Sequence, residues 1–133
     1  MKSIFQMQGE FLKAGDVKFP DVSYKAQILC LLLIHEEFQE YQAEECLFDI
    51  NDKETWNELK EVCDLIIVCA QKLNIDVGIE KAQLLLEAVM KNNMDKCVDG
   101  KLVKREDGKI LKPEGFDKMG WMVDFEKILG DES

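Results

Sequence analysis

Five glutamates crowd the stretch HEEFQEYQAEE, residues 35–45, directly after seven unbroken apolar residues, ILCLLLI, at 28–34. Within it stands Glu36-Glu37-x-x-Glu40, and after twenty intervening residues comes Glu61-x-x-Asp64. Carboxylates three apart on a helix share a face and repel one another. Beside apolar neighbours that repulsion grows, because desolvation disfavours the charged form unless a cation is present. At about 100° per residue, Gln27, Leu31, Ile34, Phe38 and Tyr41 form one stripe, expected to face the core. Glu37, Glu40 and Glu44 share a neighbouring stripe with Leu33, and Glu36 points further away. After Asp64 comes LIIVCA, six residues without a charged or amide side chain, and an all-round apolar stretch is expected to be buried. Asp64 therefore begins the buried part of its helix, with Glu61 one turn before it. An unpaired buried carboxylate is costly, and the chain has one guanidinium, Arg105, to offer it. Two antiparallel helices that each present two such carboxylates make an oxygen-only pocket, which suits Mg²⁺ or Mn²⁺. The plainer reading, a solvated acidic helix face, stands beside it. It is the one that fits Glu36, Glu44, Glu45 and Glu54. Glu58-x-x-Glu61 has the same spacing and offers the second pair one turn earlier. His35, the single histidine, reads as a structural side chain at the border of the core.

The elements that must hold these groups are helices. A short amphipathic helix is expected over residues 4–13, stopped near Gly15. Asp21 or Ser23 caps a second, running to about Glu44. Asn51 or Asp52 caps a third, over about Lys53 to Leu73, which NIDVG breaks. A fourth covers about Ile79 to Asn92, and a short last helix spans Met119 to Leu129. Between them, VDGKLVKREDGKILKPEG carries two Asp-Gly pairs flanking short alternating runs, the signature of a β-hairpin or ordered loop near residues 98–113. The expected class is all-α, a four- to five-helix bundle in a single domain.

The length of 133 residues suits one core, and 47% apolar content argues against wholesale disorder. No apolar run approaches the roughly 20 residues that span a bilayer, and no secretory signal is read at the N-terminus. The five cysteines have no CxxC spacing, so they are expected to be reduced, mostly buried thiols of a cytoplasmic protein, and a zinc site is not expected. A net charge of −10 argues against nucleic-acid binding. The charge is uneven: Lys91 to Lys112 holds seven basic and four acidic residues, a local +3, which leaves −13 on the rest.

The pattern EExxE…ExxD resembles the all-α nucleoside triphosphate pyrophosphohydrolases, the MazG-like and phosphoribosyl-ATP pyrophosphohydrolase-like proteins. EVCDL at 61–65 is similar to their third-helix motif. KNNMDKCVDGKLVKREDGKILKPEGF, residues 91–116, looks like the tail of many phage and bacterial members, with Asn92 in place of a serine. The resemblance covers about residues 31–116. It implies hydrolysis of a nucleoside triphosphate to the monophosphate and pyrophosphate, with Mg²⁺ held by Glu37, Glu40, Glu61 and Asp64. It also implies that Asn93, Lys96, Arg105 and Lys109 contact nucleotide or pyrophosphate, and that the protein assembles as a homodimer or homotetramer. Two other readings are compatible with the same residues. One is a pyrophosphohydrolase with another substrate such as phosphoribosyl-ATP, and the other is a non-catalytic acidic helical module that binds a basic partner.

Overall fold

The first helix begins where Ser3 and Gln6 close a reciprocal capping box. The Ser3 hydroxyl accepts from the Gln6 N–H, and the Gln6 side chain accepts from the Ser3 N–H. In the computed structural model, which describes residues 1–44 and 47–130, this helix is α1, Ile4–Ala14. Ser23 caps α2, Tyr24–Ala43, and Asp52 caps α3, Lys53–Val77. Then follow α4, Ile79–Met94, and α5, Trp121–Leu129. The architecture is all-α. The expected excursion is present as two isolated antiparallel bridges, Val98 with Lys101 and Lys104 with Ile110, and no sheet forms among the described residues. Both Asp99 and Gly100 have positive φ, 51° and 78°, as a tight Asp-Gly hairpin turn requires.

The chain divides into two compact units, Met1–Ala82 and Gln83–Ser133, with the boundary inside α4. In the first unit, α3 packs against both α1 and α2. Helices α2 and α3 run antiparallel: Gln27 binds Asp76 at one end, and Glu37 lies beside Glu61 and Asp64 at the other. Phe5, Ala70 and Ala82 form one core cluster, and Leu12, Cys30 and Ile75 form a second.

Four expectations are corrected here. Helix α3 runs on to Val77 rather than ending near Leu73. Asn74 is wholly buried within it, and its amide nitrogen donates to the Phe5 carbonyl at 3.0 Å and to Gln8 Oε1 at 2.9 Å, while its Oδ1 accepts no hydrogen bond. The break comes at Gly78, whose φ of 86° and ψ of 166° belong to a region open essentially to glycine alone. The buried stripe of α2 is also displaced by one position. Cys30 is its buried residue and Ile34, Glu37 and Tyr41 are half-buried, whereas Leu31 and Phe38 are 61% and 44% exposed. The run LIIVCA is not buried in the single chain, since Ile66 is 51% exposed and only Ala70 is buried. With α1 and α2 as its packing partners, α3 has a further face open. Of the cysteines, Cys30 alone among those described is buried, Cys63 and Cys69 are exposed, and Cys46 lies outside the described residues.

In the second unit, Asn92 on α4 is buried and donates to the Asp117 carbonyl at 3.0 Å, which ties the end of the long loop to the helix. Lys91 pairs with Asp124 of α5 at 3.6 Å.

Candidate metal centre

Glu37 sits on the inward stripe of α2, one turn beyond Leu33 and Ile34, and antiparallel pairing sets it opposite the turn of α3 that carries Glu61 and Asp64. One carboxylate oxygen from each of Glu37, Glu61 and Asp64 lies within 4.8 Å of the others. The second motif therefore contributes Glu61 and Asp64 to this trio. Glu58 is half-buried and outside it. Glu37 Oε2 and Glu61 Oε2 are shielded from solvent and have no hydrogen-bond partner. Burial is the main cause that pushes the Glu37 carboxyl above its usual 4.5, and a hydrogen bond with Glu40 and the charges of Glu40, Asp64 and Glu61 add to it. Burial likewise raises Glu61. Lys60 opposes that rise, while Glu40 and Asp64 reinforce it. Glu40 is exposed, helps to raise both half-buried glutamates and does not belong to the trio.

Lys60 is the site's own cation, which the sequence reading did not single out. Its ammonium lies 2.7 Å from Asp64 Oδ2 and 3.6 Å from Glu61 Oε1. The i,i+4 spacing from Lys60 to Asp64 was the available signal. The lysine is 66% exposed and Glu61 15%, so this ammonium reaches in from solvent and does not contact the occluded oxygens.

The donor set fits a hard divalent cation. It is oxygen-only, it comes from two helices, and two of its oxygens are buried without a proton donor. Outside the trio, Glu36 is exposed, Glu44 is half-buried and Glu45 lies outside the described residues. His35 is exposed rather than held in the core, because the inward stripe passes through Ile34 and Glu37 instead.

The basic segment belongs to the second unit. Asn93 is exposed near the end of α4. Lys96 lies 5.6 Å from the centre of the Phe116 ring, a cation–π contact. Arg105 forms a two-toothed pair with Asp107, its Nε 3.0 Å from Oδ1 and its Nη2 on Oδ2, so the guanidinium serves its own loop. The Lys109 side chain is exposed, while its N–H donates to Asp107 Oδ1 at 3.1 Å.

Beside the carboxylates, a cavity of about 670 Å³ lies between α1 and α3. Ile4, Met7 and Phe11 form one wall, Ile66 and Ile67 the other, and Gln8 and Asp64 are polar members of its lining. No described helix is long and apolar enough to cross a membrane. No protein-family model matches the chain, and no curated protein matches it.

Proposed function

We propose that the protein is a Mg²⁺-dependent nucleoside triphosphate pyrophosphohydrolase that yields a nucleoside monophosphate and pyrophosphate. The observation that carries this reading is the convergence of Glu37, Glu61 and Asp64, with two buried carboxylate oxygens that lack any partner. Their place in the EExxE…ExxD pattern supplies the reaction class.

Glu37, Glu61 and Asp64 would hold Mg²⁺, which when bound neutralises phosphate oxygens and lowers the pKa of coordinated water. Glu40 stands outside the trio and beside it, and is the glutamate suited to orient a water and accept its proton. Lys60, freed from Asp64 when a cation takes its place, is available to a phosphate oxygen. The attacked atom is the α-phosphorus, and the leaving group is pyrophosphate. Such a displacement asks the protein mainly for positioning and charge. Asn93, Lys96, Arg105 and Lys109 remain proposed substrate contacts, of which Lys96 and Arg105 must exchange their present partners to serve.

A homodimer or homotetramer is part of this reading. Leu29, Leu31 and Leu32 of α2 are all more than half exposed, and exposed apolar surface of this kind marks an association face. Free thiols at the described cysteines support a reducing, cytoplasmic setting, and the net charge of −10 supports a nucleotide rather than a nucleic-acid partner.

The test is a panel of ribo- and deoxyribonucleoside triphosphates with Mg²⁺, with products resolved. Monophosphate and pyrophosphate are expected. Release of diphosphate and orthophosphate would place the cleavage at the wrong bond, and absence of turnover with every nucleotide would leave a binding module.

A further inference from the structure

Asp64 has two neighbourhoods. On one side its carboxylate joins Glu37 and Glu61, and on the other it edges the 670 Å³ cavity between α1 and α3. Helical geometry accounts for this, since Glu61 and Asp64 lie toward α2 while Ile67 is turned toward α1. The cavity has the size of small-molecule sites, roughly 300–1,000 Å³. Its walls are apolar, and Phe11, 72% exposed, offers an aromatic face.

Into these walls the fold places one rigid amide. Gln8 is 4% exposed. Its Oε1 accepts from Asn74 Nδ2 at 2.9 Å, and its Nε2 donates to Gln71 Oε1 at 3.1 Å. An amide nitrogen carries two hydrogens. A second donor therefore remains on a side chain that these bonds hold in one orientation. An apolar helix packed into the cavity would leave that donor unmatched, at a cost. A small ligand with an acceptor would not.

We propose that this cavity binds the base of a nucleotide whose phosphates meet the Glu37, Glu61 and Asp64 cluster, an inference that rests on the nucleotide reading above. A planar heteroaromatic ring matches walls of Met7, Phe11 and Ile67 by stacking and burial. A ring nitrogen or carbonyl of the base accepts the spare Gln8 hydrogen. Asp64 is the hinge of the arrangement, because it belongs at once to the base cavity and to the phosphate end.

The test uses nucleosides, which carry no phosphate and need no metal. They are titrated, without divalent cation, into protein labelled at isoleucine and methionine methyl groups. The Met7, Ile66 and Ile67 signals are expected to shift saturably, while Met122 on α5 stays in place. Gln8→Leu should weaken the nucleoside by about tenfold or more and leave Mg²⁺ binding, followed by calorimetry, unchanged. Because Gln8 is buried, Met7→Trp at an exposed position is the companion variant, and it should fill the cavity and abolish the shifts in a folded protein. Cavity methyls that ignore every nucleoside overturn the proposal, even if Mg²⁺-dependent hydrolysis is found. Cavity methyls that shift with protein concentration instead also overturn it, in favour of a second copy as occupant. Nucleoside shifts without any Mg²⁺ binding uphold the cavity and sink the metal-dependent reading alone.

Discussion

Asp64 holds the ammonium of Lys60 at 2.7 Å, so a divalent cation that enters the trio competes with a resident charge. Lys60→Gln removes the competitor and should tighten Mg²⁺ or Mn²⁺ binding in calorimetry; weaker binding would show that Lys60 organises the site rather than shielding it. Asp64→Asn acts in the opposite direction. It should abolish turnover yet leave metal-free thermal stability unchanged or raised, because it thins a cluster of like charge and loses only a partly exposed, solvent-screened ion pair. Marked destabilisation would point to a structural salt bridge. The pH dependence follows from Glu37 and Glu61, whose carboxyls burial holds above 4.5. Groups raised in the folded state favour folding in their protonated form. Their contribution is complete below the unfolded value and is lost as pH rises through the folded one. The melting temperature of the metal-free protein should thus fall from about pH 4.5 towards neutrality relative to a Glu37→Gln, Glu61→Gln double variant. Parallel melting curves across that range would contradict the raised carboxyls.

Among the elements, α3 decides most. It carries both second-motif carboxylates, one wall of the cavity and the buried Asn74 that binds α1. Its length depends on Gly78, where φ is 86° and ψ is 166°. Gly78→Ala forces a Cβ into that conformation and should cost roughly 1–3 kcal/mol in chemical denaturation. No atom crowds the added Cβ, so the loss would be backbone strain rather than a clash. A change of a few tenths would mean that the α3–α4 junction relaxes freely.

At the scale of the molecule, the single chain leaves much apolar surface uncovered. Leu29, Leu31 and Leu32 on α2 all stand more than half exposed. Burial in an oligomer removes such surface from water at about 25 cal/mol per Å². Sedimentation should therefore find a dimer or tetramer, and Leu31→Lys should dissociate it. A monomer at high concentration would remove the assembly from the proposal.

The sequence by itself determined the helical class, narrowed two caps to Asp21 or Ser23 and to Asn51 or Asp52, and marked the Asp-Gly turn at 99–100 and the spacing of the acidic motifs. These are local matters, set by side chains that bond to nearby backbone and by the 3.6-residue repeat. Only the tertiary structure decided which glutamates converge. The inward stripe of α2 runs through Cys30, Ile34 and Glu37 rather than Leu31 and Phe38, and an apolar stretch such as ILCLLLI cannot reveal its buried side when every side is greasy. Asn74 looked like a breaker because its two partners, Phe5 and Gln8, are nearly seventy positions away. Burial of LIIVCA was misjudged for a related reason: hydrophobicity says that a face seeks cover, while the packing of α1 and α2 on α3 determines which face receives it.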